Sequence, residues 1–208
     1  MAENSSRCEP LPTPLLCLTS FDAPMPARWL AAQIAQLTPA ESAHLAAIDR
    51  PRRREQFVVG RHLLRWALTA VGLCDARVEV GPDWRPLVRG SSPAYASIAH
   101  SASRVAVVVA DAPVGVDLES RQRLRDPAAA AALLGVAADD DCTTAVLRKW
   151  AAAEARLKAG VQADARTWHC AWHSCQLAVA GSAKHPFTFV FDLTTEIYNV
   201  AELDWEST

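Results

Sequence analysis

The sequence lacks the excess of positive charge that a polyanion-binding surface needs: 21 lysines and arginines stand against 23 aspartates and glutamates, a formal net charge of -2. A broad basic field gripping a nucleic-acid backbone is therefore not its mode of action. It also lacks any cysteine pair at C-x-x-C spacing. Its six cysteines, Cys8, Cys17, Cys74, Cys142, Cys170 and Cys175, are scattered and have no histidine at zinc-ligand spacing. Neither a zinc knuckle nor a redox dithiol is indicated, and reduced thiols are expected. Long apolar runs are absent as well, since the best of them, Val105 to Ala110, has the length of a strand and not that of a membrane span. The start, Met1 to Pro14, sets Glu3 and Glu9 before any apolar run, the wrong order for a secretory signal. No internal repeat is visible. The expected setting is the cytoplasm, with no membrane or nucleic-acid partner.

What is present is a chain of 208 residues, 50% hydrophobic, long enough to bury a core in one large domain or two small ones. After a proline-rich, loose start, Trp29, Leu30, Ile34 and Leu37 fall along one stripe of a helix over Ala27 to Leu37. Thr38-Pro39 reads as an N-cap with proline in the first turn, opening a second helix through Ile48. A long helix is predicted from about Arg52 to Val71, ended by Gly72. Short strands follow at Val78 to Val80, Tyr95 to Ala99 and Val105 to Ala110, with a turn at Gly81-Pro82-Asp83. Asp111-Ala112-Pro113 breaks this run with turn chemistry. Beyond it come a strand at Val114 to Leu118, an arginine-rich loop, an alanine-rich helical stretch and a strong helix from about Thr143 to Ala159, closed by Gly160. Strands return near Trp168 to Val179 and Pro186 to Asp192. The expected fold is α+β: two similar lobes in pseudo-twofold arrangement, residues 1–111 and 112–208. Each is a small, mainly antiparallel sheet packed with helices, and the active site lies in the cleft between them.

Three constellations carry chemistry. In Val114-Gly115-Val116-Asp117-Leu118-Glu119 the two carboxylates are two residues apart, so on a strand they share one face while Val116 and Leu118 share the other. Such a face either binds a hard cation with oxygen ligands or is simply a solvated acidic face. Trp150, Glu154 and Lys158 recur every four residues and line one side of a helix, where Glu154 and Lys158 also read as an ordinary i,i+4 pair. Ser97-Ile98-Ala99-His100-Ser101 ends an apolar strand with a histidine among small hydroxyl residues, which can donate to an anion or serve as a structural hydrogen-bonder.

In this order and spacing the three constellations resemble the signature of the surfactin-type 4′-phosphopantetheinyl transferases: a Ser-His-Ser strand end, then Gly-(Ile/Val)-Asp-(Ile/Leu)-Glu, then Trp-(Ser/Thr)-x-Lys-Glu-(Ala/Ser)-x-x-Lys. Phe57 to Arg65, with Gly60-Arg61 ahead of a Leu-Leu-Arg run, is similar to a helix of that family, and Trp84-Arg85-Pro86 to its Gly-Lys-Pro turn. The resemblance spans about Leu37 to Gly160. It implies transfer of the 4′-phosphopantetheine group of coenzyme A to a serine of an apo acyl or peptidyl carrier protein, by a monomer, with release of 3′,5′-ADP. It implies that Asp117, Glu119 and Glu154 hold magnesium, with manganese as a possible substitute, and that Glu154 serves as base, either directly or through a metal-bound water. It implies that His100 and Lys158 contact coenzyme A phosphates, with Arg61 and Arg85 near the 3′-phosphoadenosine end. The sequence departs from the pattern at Ala153 for the lysine, Ala151 for the hydroxyl residue and Ala99 for the first serine. Glu41 and His44 stand near two lysines common in bacterial members, and Arg52, Arg53 and Arg54 are candidates to compensate. Ala153 motivates an alternative, a catalytically silent relative that binds coenzyme A or a carrier as an interaction module.

Overall fold

The computed structural model describes residues 10–81, 84–121, 124–137, 142–181, 184–193 and 197–208. Pro82 and Asp83 of the expected turn, and Arg123 of the arginine-rich loop, lie outside the described residues. The chain runs through β1 (Leu15–Ser20), α1 (Ala27–Ile34), α2 (Pro39–Ala46), α3 (Pro51–Ala70), β2 (Arg77–Val80), β3 (Pro86–Arg89), β4 (Tyr95–Ser101) and β5 (Arg104–Ala110). It continues through β6 (Gly115–Ser120), α4 (Pro127–Leu134), α5 (Cys142–Ala159), β7 (Thr167–Trp172), β8 (Cys175–Ala180), β9 (Phe187–Asp192), β10 (Ile197–Ala201) and β11 (Glu206–Ser207). The fold is mixed α+β.

A five-stranded sheet has the order β10-β9-β1-β5-β4, and a four-stranded antiparallel sheet the order β11-β7-β8-β6. In the first, β1 pairs antiparallel with β5 and parallel with β9. The chain thus leaves the first sheet after Ala110, builds the second, and returns at Phe187. The sequence expectation of a loose start does not extend to Leu15, Leu16, Cys17 and Leu18, which are fully buried at the centre of the first sheet, and residues 1–9 of that start lie outside the described residues. A four-residue apolar run that follows a proline is too short to announce a strand by alternation, and β1 shows none because both its faces are covered.

Leu15, Cys17, Val105, Val107 and Val109 face Leu63, Leu64 and Leu68 of α3. Leu16, Leu18, Ala106 and Val108 face Val116, Leu118, Leu177 and Val179 of the second sheet. Ala178 and Ala180 then face Ala151 and Ala155 of α5. The layers are α3, first sheet, second sheet and α5, with an apolar cluster at each junction. Each large aliphatic side chain buried in these layers contributes about 1.5–3 kcal/mol.

The helices begin where their chemistry dictates. Thr38 and Glu41 form a reciprocal capping box on α2, with Pro39 in the first turn. Pro51 starts α3 and Asp126 caps α4. α1 stops at Ile34, a turn earlier than the apolar stripe suggests, and Leu37 instead packs beside Leu45 and Phe57. Gly72 and Gly160 stand past α3 and α5 with φ of 83° and 68°.

The tightest junction joins α5 to β6. A Cβ on Gly115 would lie 2.0 Å from the Ala155 carbonyl oxygen and 2.7 Å from the Ala159 nitrogen, so helix backbone rests directly on strand backbone. Only glycine permits this approach, and alanines on the facing helix side keep it close. Gly115→Ala is expected to lower stability by about 1–3 kcal/mol through forced separation of α5 from β6. A shifted urea midpoint at unchanged m-value would register it.

His169 of β7 is buried, and burial, then the charges of Arg148 and Arg156, push its imidazole from an ordinary 6.5 down to about 4. Between those values the unfolded chain binds the extra proton and the folded one does not, so stability rises with pH across this window and is lost as pH falls through it. The slope from this group is at most about 1.4 kcal/mol per pH unit. Urea titrations at pH 7.5, 6 and 5 should show a decline that is shallower in His169→Asn.

Candidate functional site

β4 is an outer strand of the first sheet and β6 an outer strand of the second. Two serines of β4 join them. The Val116 amide donates to Ser97 Oγ at 3.2 Å, and Ser101 Oγ donates to Ser120 Oγ at 3.1 Å. Ser101, which flanks His100, is fully buried in this link, and its hydroxyl has a structural task. Beside the joint opens a cavity of about 520 Å³, lined by residues of α2, α3, β4, β6, α5 and the segment 84–86. All seven residues singled out from the sequence line it: Asp117, Glu119, Glu154, His100, Lys158, Arg61 and Arg85.

One wall is acidic. Asp117 and Glu119 are 6% and 8% exposed, which rules out the solvated acidic face, while Val116 and Leu118 point into the core between the sheets. Glu154 reaches the cavity from α5 and is half-buried. Lys158, four residues on, does not close the helical pair with Glu154. Its Nζ lies 2.6 Å from Asp117 Oδ1 and donates to the Val116 carbonyl at 3.1 Å. Asp117 Oδ2 is buried without a hydrogen-bond partner.

The three carboxylates therefore share a cavity but do not form a finished ligand set. Among the described residues no group of three or more His, Cys, Asp or Glu is disposed to hold a metal ion. A lysine also stands on one of the oxygens such an ion would use. The donor chemistry nevertheless fits a hard divalent cation. Magnesium takes oxygen ligands, needs few carboxylates, and completes its octahedron with water and substrate phosphates. A buried carboxylate oxygen with no partner is the kind of atom it would satisfy.

The opposite wall is basic. Arg61 is 2% exposed and its Nε lies 3.0 Å from Glu41 Oε1, an ion pair buried between α3 and α2. Glu41 Oε2 accepts from the Thr38 amide at 2.9 Å, so this carboxylate serves the capping box and the arginine together. Burial lowers the Arg61 guanidinium below its ordinary range, against the pull of Glu41. Arg61 is thus a wall residue anchored by Glu41, more enclosed than a helper at the rim would be. Arg85 is exposed, and its Nη1 donates to the Leu157 carbonyl at 3.3 Å, tying the 84–86 segment to α5. His100 lies on the floor formed by β4.

Two residues that sequence reasoning gave no role complete this end. His44 and Trp84 stack with ring centroids 4.0 Å apart and planes 24° from parallel, and Trp84 is 57% exposed. His44 is held below its ordinary range by burial and then by the charges of Arg53 and Arg61. The available signal was an exposed-type tryptophan in a turn beside an arginine. Of the three arginines at the start of α3, Arg53 lines the cavity. Arg52 pairs with Glu55, and Arg54 donates to the Leu45 and Ile48 carbonyls at the end of α2.

The cavity thus sets the carboxylates of β6 and α5 among the cationic side chains of Arg53, Arg61, Arg85 and Lys158, a lining suited to a ligand that carries anionic groups. The family model of the 4′-phosphopantetheinyl transferase N-terminal domain matches residues 40–110, from α2 through β5. That stretch of the chain is therefore similar to a 4′-phosphopantetheinyl transferase N-terminal domain. Arg61, Arg85 and His100 lie inside the matched stretch, whereas Asp117, Glu119, Glu154 and Lys158 lie beyond it. No curated protein matches the chain.

Removing Glu41 would leave a buried arginine without its counter-ion. Glu41→Ala is expected to destabilise the protein by about 3–5 kcal/mol, because the remaining charge stays desolvated and a helix cap is lost as well. Equilibrium denaturation measures this.

Proposed function

We propose that this protein transfers the 4′-phosphopantetheine group of coenzyme A to a serine of an apo acyl or peptidyl carrier protein. The observation that carries the proposal is the shared cavity: buried Asp117 and Glu119, Glu154 from α5, and His100, Arg61, Arg85 and Lys158 around one polar space, joined to the matched N-terminal domain. The order of these motifs along the chain supports a member of the surfactin-type branch.

Coenzyme A would lie with its diphosphate at the acidic end and its 3′-phosphoadenosine toward Arg61, Arg85 and Arg53. Asp117, Glu119 and Glu154 are the residues that would hold magnesium or manganese, which when bound neutralises diphosphate charge and opens the phosphorus to attack. Glu154 accepts the proton of the carrier serine, whose Oγ forms a bond to the β-phosphorus as the bond to the bridging oxygen breaks. The leaving group is 3′,5′-ADP, and His100 and Lys158 stabilise charge on the non-bridging oxygens. Such chemistry is accelerated mainly by positioning and electrostatic stabilisation, which a rigid joint between two sheets supplies. A monomer acting in the cytoplasm is part of the proposal, and the free thiols of Cys17, Cys74, Cys142, Cys170 and Cys175 agree with a reducing compartment.

Purified protein incubated with coenzyme A, magnesium and several apo carriers should add the mass of one phosphopantetheine to at least one carrier. Asp117→Asn and Glu154→Gln should each slow this by at least about a hundredfold. Near-native rates in both would overturn the assignment. The Lys158–Asp117 pair gives the silent relative its one structural support, and coenzyme A binding without mass gain on any carrier would favour it.

A further inference from the structure

Asp117 has two different oxygens. Oδ1 holds the Lys158 ammonium at 2.6 Å, and Oδ2 is buried with no hydrogen-bond partner. Lys158 is itself fixed at a second point, the Val116 carbonyl at 3.1 Å, and its side chain is 22% exposed, so it is docked on the strand and not swinging in solvent. The docking follows from the contact of α5 with Gly115, which brings the last turn of the helix over β6. As the protein stands, the charge of Asp117 is already neutralised by a side chain of the same cavity.

Resting on the function proposed above, we propose that Lys158 is a resident counter-ion of Asp117 that makes divalent-cation binding conditional on a diphosphate in the cavity. A lone cation arriving at Asp117 meets an ammonium on the same carboxylate, and two positive charges competing for one anion weaken each other. A diphosphate entering the cavity offers the lysine other anionic oxygens within reach of its four-carbon stem. Once Lys158 turns to them, both Asp117 oxygens are released to the cation, which the phosphate oxygens also bind. Each ligand then raises the affinity of the other, and by linkage the factor is the same in both directions. Glu119 and Glu154 remain on the wall for the cation in either state.

The test is calorimetric titration of manganese into the full-length chain, alone and saturated with coenzyme A, for the unaltered protein, Lys158→Met and Lys158→Gln, with Asp117→Asn as the control for the site. The unaltered protein should bind manganese weakly alone and about tenfold or more tightly with coenzyme A. Both lysine variants should bind manganese alone about fivefold more tightly than the unaltered protein, and should lose most of the gain from coenzyme A. Thermal melts establish that each variant is folded, and either suffices if the other is not. Lysine variants that bind manganese alone no better than the unaltered protein, or keep the full coenzyme A gain, would overturn the inference. In that case a site abolished by Asp117→Asn would still leave the function standing. Failure of the unaltered protein to take up manganese even with coenzyme A would remove both.

Discussion

The backbone of α5 lies on the backbone of β6 at Gly115, and the geometry of the cavity follows from that contact. A helix normally stands off a sheet by the thickness of two side chains; here the missing Cβ and the alanines at 151, 155, 178 and 180 shorten the distance. The consequence is positional. Glu154 and Lys158, one turn apart, are lowered to the level of Asp117 and Glu119, so groups from helix and strand can act on one ligand. A bulkier junction would keep the same residues in sequence and lose them as a set.

The second constraint is the joint between the two sheets. β4 and β6 are edges, which proteins must cover or pair, and here they are covered by each other through serine side chains. That arrangement leaves the neighbouring strand face of β6 open to a cavity while its other face is sealed in the core. Two buried carboxylates on an otherwise apolar layer would be costly if left alone. Asp117 is compensated by Lys158, and the basic wall across the cavity gives both carboxylates a favourable field. The polarity of the cavity is therefore needed for the stability of the strand that lines it, quite apart from any ligand.

Much of this was legible in the residues. Alternation in Val116-Asp117-Leu118-Glu119 gave the two faces of β6, and the four-residue spacing of Trp150, Glu154 and Lys158 gave one face of α5, because periodicity encodes which side chains point together. The Thr38-Pro39 start of α2 was equally plain, since capping is local chemistry. What periodicity does not encode is which surfaces meet. β1 and β9 pair in parallel at a sequence separation of 172, as in Leu15 with Phe187 and Leu16 with Thr188, and no local signal links them. Lys158 has a carboxylate at i-4 and another from a different element; helical spacing names the first, and only the α5–β6 distance selects Asp117. The stacking of His44 on Trp84 and the pairing of Arg61 with Glu41 were hidden for the same reason, each joining residues from separate elements.

The departures from the family pattern can now be weighed by position. Ala151 is fully buried in the alanine layer between α5 and the second sheet, so its side chain faces packing and not the cavity. Ala99 is 3% exposed, and although β4 brings it to the cavity wall, its methyl packs in the core between the sheets. A hydroxyl at either place would have to be buried, and a small apolar residue avoids that desolvation. Ala153 is different, being exposed on α5, where a lysine would add a mobile charge beside the cavity rather than a fixed one within it. The charge fixed within it belongs to Lys158, which the chain retains. Two of the three departures thus answer to packing, and the third removes a group whose electrostatic effect water and salt would already weaken.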